Sequence, residues 1–177
     1  MMEDAIRHIL IRYEGVSDPT FEDIRSFYER NLHPEKIDLD DKAVWENVFH
    51  EGRWAGIFQF TEGGAQSFCK NAKPDNITDL AAITSIYRPG PLSAGVDKMY
   101  IGAKENPDEV DYLNSYVKDI TQETYGFLIF QEQIAMLAHK LGKNLSLDEG
   151  NKLRKLLTKK GTGSAQVEMD KIYDKFR

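Results

Sequence analysis

The segment Leu153-Arg154-Lys155-Leu156-Leu157-Thr158-Lys159-Lys160 shows most clearly how this chain folds. Its leucines recur at the spacing of one helix face, which predicts a helix that turns this face towards a core. Lys152, Lys155 and Lys159 lie at i, i+3 and i+7, so they form a row of cations on another side of the same helix. The segment therefore predicts a helix with one buried apolar face and one basic face.

Two interpretations of this basic row are open from the pattern. Cations that are held in place by a buried helix face can bind a polyphosphate and stabilise the charge that develops in phosphoryl transfer. A solvated lysine face is the more common explanation of such a run of charges. The pattern alone favours the solvated face.

Composition indicates one globular domain of an ordinary kind. The 177 residues are 41% hydrophobic and 29% charged, which is enough to bury a core. No apolar run is long enough to predict a membrane helix, and the acidic start lacks the apolar segment of a secretion signal. Cys69 is the only cysteine, which excludes an internal disulfide and a cysteine zinc cluster. We therefore expect a cytoplasmic protein with no membrane partner.

The net charge of -6 argues at first against binding to nucleic acid. Its distribution is more informative, because a polyanion responds to the local field. Residues 151–167 carry five cations and no acid, whereas acids concentrate at residues 38–41 and 105–111. A chain with one basic edge is compatible with DNA.

Helical periodicity recurs along the chain, so the predicted fold is mostly α with little or no sheet. Residues 1–54 are predicted to form a helical lead-in, and residues 55–177 a core that holds the binding motifs. The pattern predicts helices over residues 5–13, 21–31, 44–49, 62–73, 78–87, 96–103, 112–120, 127–141, 146–158 and 167–176.

Local signals predict helix starts and buried positions. Ser146, with Glu149 three residues later, fits a capping box. Asp75 or Thr78 is expected to cap the helix that runs to residue 87. The helix predicted over residues 127–141 is expected to bury five apolar side chains, namely Ile129, Phe130, Ile134, Leu137 and Leu141.

The acidic run Asp38-Leu39-Asp40-Asp41 has the Asp-x-Asp spacing of some metal sites. An Asp just before an apolar helical pattern is more often a helix cap, which accepts hydrogen bonds from unpaired backbone N–H groups. We interpret this run as the start of a helix, and we predict no metal site on the chain.

Tyr87-Arg88-Pro89-Gly90-Pro91-Leu92 combines a cation with a stiff backbone. The prolines are expected to stop the preceding helix, and Arg88 could bind the last carbonyls of that helix. Alternatively, a stiff loop loses little entropy when it grips a ligand, which would suit a contact with substrate or nucleic acid. Taken alone, the motif favours a helix stop.

Tyr125-Gly126 and Gln131-Glu132-Gln133 form another candidate pair of motifs. A tyrosine beside glycine can stack on a base or sugar, and glutamines can form hydrogen bonds with base edges or with the nucleic-acid backbone. Residues of these types at a helix start more often only cap and pack. The role of each residue stays open at this point.

Together these segments resemble the fingers region of the alpha subunit of bacterial DNA polymerase III, the C-family replicative polymerase. Gly56-Ile57-Phe58-Gln59-Phe60 precedes the motifs at residues 87–92, 124–133 and 153–160, in the order found in that family. The resemblance runs from the first helix to about Arg177, and it is compatible with a bacterial or a bacteriophage polymerase. It implies a helical fingers domain that binds the incoming deoxynucleoside triphosphate and primer–template DNA. The residues it marks for these contacts are Arg88, Tyr125, Gln131, Gln133, Arg154, Lys155, Lys159 and Lys160.

The resemblance also implies what this chain does not carry. In the family, aspartates of the palm bind two Mg²⁺ ions, and these carboxylates precede the segment that corresponds to this chain. We therefore expect the parent enzyme to be a DNA-directed DNA polymerase, a nucleotidyltransferase, and the isolated chain to be inactive, without catalytic residue or cofactor. The sequence departs from the family at Lys155, which replaces an arginine, and at Thr158, which replaces a glycine. Lysine keeps the charge but lacks the planar guanidinium that binds phosphate through two hydrogen bonds.

The expected partners are primer–template DNA, deoxynucleoside triphosphates, and the palm and PHP portions of the polymerase. The sliding clamp and other replisome subunits are further candidates. The chain could be a truncated reading frame or one part of a split polymerase. Two alternatives are a non-catalytic DNA- or replisome-binding module and a helical domain that keeps only the fold. A neighbouring gene that encodes a palm would favour the split polymerase.

Overall fold

A computed structural model describes residues 1–157, 159 and 163–176 of the chain. The regular elements of these residues are all helices, which confirms the predicted mostly α fold. None of the helices in this part of the chain is both long and apolar enough to cross a membrane. The chain divides into two compact units, Met1–Asp41 and Lys42–Arg177. The predicted boundary at residues 54 and 55 concerns where the fingers core begins, and it stays a prediction.

The first unit is a pair of helices. α1 spans Met2–Tyr13 and α2 spans Phe21–Asn31, close to their predicted bounds. The Thr20 hydroxyl accepts a hydrogen bond from the Asp23 N–H at 3.2 Å, and the Asp23 carboxylate accepts one from the Thr20 N–H at 2.8 Å. This capping box fixes the start of α2. The side chains buried between the helices are Ile6, Leu10, Ile24 and Phe27.

The second unit begins with α3, Lys42–Val44, which continues into a π-helical turn, Trp45–His50. α3 starts directly after the acidic run at residues 38–41, as predicted, while the capping role of that run stays a prediction. The later helices are α4 Gly63–Ala72, α5 Ile77–Ile86, α6 Pro89–Ser93, α7 Val96–Glu105, α8 Ser115–Thr121, α9 Gln131–Leu141, α10 Leu147–Leu157 and α11 Gly163–Tyr173.

The larger core of this unit is rich in aromatic side chains. Trp54 stacks on Phe60 with 5.2 Å between the ring centroids, and Trp45 stacks on Phe49 at the same separation. Cys69 is fully buried in this core, and burial raises the pKa of its thiol to about 12. The buried residues are Trp45, Phe49, Phe60, Ala65, Phe68, Cys69, Ala72, Ala82, Ile83, Ile86 and Tyr100.

A second, smaller core joins α9, α10 and α11. Gly150 of α10 lies so close to α9 that a Cβ at this position would collide with the carbonyl of Ala135. The absence of a side chain therefore lets the two helices approach closely. The buried residues of this core are Ala138, Leu145, Leu153, Leu156, Met169 and Ile172.

The predicted capping box at the start of α10 is confirmed. The Glu149 carboxylate accepts a hydrogen bond from the Ser146 N–H at 2.9 Å, and the Ser146 hydroxyl accepts one from the Glu149 N–H at 3.3 Å. The predicted burial of Leu141 and Leu157 is wrong, because these side chains are 45% and 36% exposed. Both lie at the last position of a helix, where the core ends.

Several predicted helix boundaries differ from the structure. The helix predicted over residues 127–141 begins only at Gln131, because the apolar residues before it reach the larger core from a non-helical segment. α8 begins at Ser115 and α11 at Gly163, instead of at residues 112 and 167. The predicted stop before the prolines is confirmed, since α5 ends at Ile86, and Pro89 begins the one-turn helix α6 because proline is well suited to the first position of a helix. The cap of α5 is Asn76, whose side chain accepts a hydrogen bond from the Asp79 N–H at 2.8 Å.

Candidate nucleic-acid interface

The basic residues of α10 lie on its solvent side. Lys152 and Lys155 are exposed, whereas Leu153 and Leu156 are buried in the smaller core, as the periodicity predicts. The Lys152 ammonium lies 3.7 Å from the Glu168 carboxylate of α11. Lys159 follows the end of α10 and is exposed. The last candidate of this group, Lys160, lies outside the described residues, as does Thr158.

Arg154 is linked to another candidate, Gln131. Its Nη1 donates a hydrogen bond to the Oε1 of Gln131, the first residue of α9. The side chain is half-buried, and its Nε is buried without a hydrogen-bond partner in the described part of the chain. The structure therefore brings two residues that are 23 positions apart in the sequence into one contact. We refer to Arg154, Lys155 and Lys159 as the basic end of α10.

Gln133 is buried, with only 6% of its surface exposed, and its amide is fully used inside the chain. The Oε1 accepts hydrogen bonds from the N–H groups of Ile129 and Phe130, both at 2.9 Å. The Nε2 donates to the Ile120 carbonyl at 3.2 Å and to the Thr124 hydroxyl at 2.8 Å. These four bonds use both donors and both lone pairs of the amide. Direct contact of Gln133 with a base would require some of them to break.

Tyr125 belongs to a buried polar cluster that sequence reasoning missed. Its hydroxyl donates to the Asp79 carboxylate at 3.2 Å, and the Tyr100 hydroxyl donates to the same oxygen at 3.1 Å. The Lys104 ammonium lies 3.0 Å from the other oxygen of Asp79 and 2.5 Å from the Asp75 carboxylate. We refer to these five residues as the Asp79 cluster. The charge of Asp79 and the hydroxyl of Tyr125 are therefore both paired within the chain.

The electrostatics of the Asp79 cluster follow from its burial. Burial first, and then the negative charge of Asp79, raise the pKa of Tyr100 and of Tyr125 above the usual value for tyrosine. Burial acts to lower the pKa of Lys104, but its hydrogen bonds with Asp75 and Asp79 outweigh that effect, and the pKa is raised. Both tyrosines therefore stay neutral hydrogen-bond donors, and Lys104 stays charged.

A signal for this cluster was present in the sequence. Asp79 is four and seven positions before Ile83 and Ile86, so it lies on the face of α5 that turns to the core. Asp79 is in fact only 1% exposed. A carboxylate on an apolar helix face has to be paired with a cation or with hydrogen-bond donors, because its burial is otherwise costly.

Arg88 is exposed and lines a cleft of about 360 Å³. The cleft joins the segment after Gly56 to the end of α5, so two of the sequence motifs meet here. Gly64 permits this arrangement, because a Cβ there would collide with the Tyr87 hydroxyl, which lies 3.4 Å from the Glu62 carboxylate. The lining residues, none from α9 or α10, are Gln59, Phe60, Thr61, Glu62, Ala65, Ile83, Thr84, Tyr87 and Arg88.

Gln59 on this cleft has an unusual backbone conformation. Its φ is 68°, in the left-handed region that non-glycine residues seldom adopt. Such a conformation costs of order 1–3 kcal/mol and is held only by the surrounding structure. Buried Phe60 and part-buried Ile57, both in the larger core, hold the turn on either side. The turn leaves the intervening Phe58 ring 85% exposed beside the cleft.

The described residues do not offer a metal site. Among them, no group of three or more His, Cys, Asp or Glu side chains is placed to hold a metal ion.

Comparisons with known proteins agree with the resemblance in the sequence. A family described as "Bacterial DNA polymerase III alpha subunit finger domain" matches residues 16–177. "DNA polymerase III subunit alpha" of Staphylococcus aureus (strain Mu50) is 37% identical over 138 residues, 78% of this chain and 13% of that protein. The protein of the same name from Staphylococcus epidermidis is 35% identical over 144 residues, 81% of this chain and 13% of that protein. The chain thus spans about 13% of the length of these curated relatives.

Proposed function

The chain belongs to the family of bacterial DNA polymerase III alpha subunit finger domains, and on that premise we propose that it binds the triphosphate of an incoming deoxynucleotide and the primer–template during DNA-templated DNA synthesis. The observation that carries this proposal is the basic end of α10. Its exposed lysines are backed by a buried leucine face, and Arg154 beside them is held by a neutral amide. A neutral partner leaves the positive charge of Arg154 available to an anion.

The triphosphate is the part of the nucleotide that the basic end suits best. Arginine can bind a phosphate through two parallel hydrogen bonds, whereas lysine acts as a point charge on a flexible stem. Arg154 would therefore fix the orientation of the phosphate, and Lys155 and Lys159 would add attraction. This division would compensate for the lysine that stands at position 155 in place of the arginine of the family pattern.

The cleft beside Arg88 is proposed to contact the primer–template. Its rim offers the Arg88 guanidinium for a phosphate and the Gln59 amide for a base edge or sugar, and exposed Phe58 lies next to it. Contacts of these three kinds make up most protein–DNA interfaces and single-strand grips. The strained backbone of Gln59 further supports a functional role for this rim.

The chemistry of nucleotide addition is assigned to the longer proteins of the family. We propose that palm carboxylates of the longer proteins would hold Mg²⁺, which would supply activation of the 3′ hydroxyl and stabilisation of the leaving phosphates. This chain would supply nucleotide and DNA binding, and the remainder of the polymerase would be its partner. The isolated chain is expected not to extend a primer, and template-dependent extension by the purified chain would refute that assignment.

The basic end is tested by fluorescence anisotropy of a labelled primer–template over a series of KCl concentrations. We expect wild type to bind, and the triple variant Arg154→Ala/Lys155→Ala/Lys159→Ala to bind more weakly with a shallower dependence on salt. The slope should fall by about 0.9 for each phosphate contact that is lost. Lys36→Ala, at an exposed lysine of the first unit, is the matched control and should keep the wild-type slope.

Two results would overturn the proposal. Wild type that does not bind the duplex would refute DNA binding, and a triple variant with the wild-type slope would show that the basic end is a solvated face. Competition of the labelled primer–template with deoxynucleoside triphosphate, and with inorganic triphosphate, tests whether the basic end binds the nucleotide as well as DNA. Displacement of the probe by both, at similar concentrations, would show that the phosphates are what the basic end recognises.

A further inference from the structure

The cations of the second unit differ in the kind of partner they have. Lys104 is paired with Asp75 and Asp79, Lys152 lies near Glu168, and Lys175 is paired with Glu149. Each of these partners is a carboxylate, which offsets the positive charge. Arg154 forms no ion pair with a carboxylate among the described residues, and its partner is the neutral amide of Gln131. A neutral partner can fix the direction of a guanidinium without cancelling its charge.

Gln131 is itself held in place. It is the first residue of α9, and the backbone just before it is fixed by the two hydrogen bonds that Ile129 and Phe130 donate to Gln133. On the other side of the contact, the close approach of Gly150 to Ala135 fixes α10 against α9. Both ends of the Gln131–Arg154 hydrogen bond are therefore on rigid elements, so little side-chain entropy is left to lose when a ligand binds.

The buried Nε of Arg154 adds a second observation that points to a ligand. This N–H has no partner in the described part of the chain, so the guanidinium has lost hydration there without a hydrogen bond in return. An unsatisfied donor on a charged group is costly. An anion near the guanidinium offsets this cost through its charge, which makes Arg154 a better anion-binding group than a fully hydrated surface arginine.

We propose that Gln131 is a positioning residue, which does not contact the ligand but sets the direction in which Arg154 presents its guanidinium to a phosphate. This inference rests on the proposed function of the basic end of α10. It replaces the expectation that Gln131 binds a base edge or the nucleic-acid backbone. The two glutamines of the Gln131-Glu132-Gln133 motif then have successive positioning roles: Gln133 fixes the start of α9, and Gln131 fixes Arg154.

The test is a double-variant cycle measured by calorimetric titration of the full chain with inorganic triphosphate. Gln131→Met keeps the size of the side chain but removes its strong acceptor, Arg154→Ala removes the cation, and the third variant combines both. We expect Arg154→Ala to weaken binding by about 20-fold, as for the loss of a hydrogen bond to a charged group, and Gln131→Met, which leaves the cation in place, by about 5-fold. The double variant should bind no more weakly than Arg154→Ala, because Gln131 acts only through Arg154.

Gln131→Glu tests whether the neutrality of the partner of Arg154 matters for binding. A glutamate would hold Arg154 in the same place but offset its charge, so we expect at least as large a loss as for Gln131→Met. Gln122→Ala, at an exposed glutamine of the same unit, should bind like wild type. Wild-type affinity of Gln131→Glu for inorganic triphosphate would overturn the proposal, because it would show that the ligand does not meet the charge of Arg154.

A measurement on wild type guards against variants that fail to fold. In arginine-selective nitrogen NMR, we expect separate Nη signals for Arg154 before any ligand is added, because the hydrogen bond restricts rotation of the guanidinium. Fully averaged signals would overturn the positioning role. So would a Gln131→Met protein that binds like wild type, or losses that multiply in the double variant.

The outcome for wild type separates this inference from the proposed function. If wild type fails to bind inorganic triphosphate, the proposed function of the basic end fails and the inference fails with it. If wild type binds and Arg154→Ala weakens binding, the proposed function stands and the cycle alone decides the role of Gln131.

Discussion

The Asp79 cluster and the basic end of α10 use similar polar side chains for different purposes. In the Asp79 cluster, Lys104 and two tyrosines converge on a carboxylate that is 1% exposed, so each charge and hydroxyl meets a partner inside the chain. At the basic end, the lysines are exposed and Arg154 has an uncharged partner. We infer that the charge and burial of the partner, more than the residue type, separate a structural cation from one that can hold a ligand.

The largest expected effect is the loss of the Asp79 carboxylate. Asp79→Ala leaves Lys104 with Asp75 as its only carboxylate partner and leaves the hydroxyls of buried Tyr100 and part-buried Tyr125 without their acceptor. We expect the free energy of unfolding to fall by about 3 kcal/mol, as when a buried ion pair loses one member. Urea unfolding measures this change. Asp119→Ala, at an exposed aspartate of the same unit, should change it by no more than about 0.5 kcal/mol. Equal stabilities of the two variants would show that the Asp79 cluster does not stabilise the fold.

The next largest effect is a substitution that should lower both the stability of the chain and its affinity for inorganic triphosphate. Gly150→Ala places a Cβ against the Ala135 carbonyl and should push α10 away from α9, which costs about 1–3 kcal/mol of stability. Because that shift also separates Arg154 from Gln131, binding of inorganic triphosphate should weaken as well. Thermal unfolding and calorimetric titration check the two parts.

Gly102→Ala is the matched control for that substitution. Gly102 lies in α7, and a Cβ there meets no atom within 4 Å. Alanine should therefore raise stability slightly, by about 0.5–1 kcal/mol, through its better helix propensity, and it should leave triphosphate binding unchanged. If both glycine variants behaved alike, close packing of α9 on α10 would not be what positions the site.

The smallest effect is a pH dependence at the start of α10. Hydrogen bonds from Lys175 first, and then from Ser146, hold the pKa of Glu149 at about 2, below its ordinary value of 4.5. A lowered pKa in the folded state contributes stability above about pH 4.5, and this contribution is lost as the pH falls towards 2. Glu149→Gln should therefore show a flatter dependence of the urea midpoint on pH over that interval.

The control for this prediction is Glu123→Gln, at an exposed glutamate before α9. It should keep the wild-type profile of urea midpoint against pH. A wild-type profile for Glu149→Gln would mean that the capping box and the Lys175 contact do not hold α10 in the folded chain.

Much of the fold could be predicted because it depends on local patterns. The spacing of Leu153 and Leu156 predicts which side of α10 is buried, and Ser146 with Glu149 predicts how that helix starts. The start of α9 could not be predicted in this way. Its preceding apolar residues are drawn to the larger core by tertiary packing, which overrides their helical periodicity.

The candidate site was only partly predictable for the same physical reason. The sequence marks Gln131 and Arg154 as residues of interest, but a hydrogen bond between positions 23 apart depends on the packing of two helices. The four bonds of Gln133 likewise come from three separate segments. The position of Asp79 on an apolar helix face is visible in the sequence, but its partners Tyr100, Lys104 and Tyr125 come from distant positions and depend on tertiary packing.

We propose that the basic end of α10, and not the Asp79 cluster, meets the phosphates of a ligand. Backbone NMR of the full chain, titrated with inorganic triphosphate, tests it directly. We expect the amide signals of residues 153–157 and 159, and those at the start of α9, to shift, while those of residues 75–79 and 100–104 stay in place. Shifts confined to the Asp79 cluster, or no shift anywhere at saturating triphosphate, would show that the basic end does not bind the phosphates.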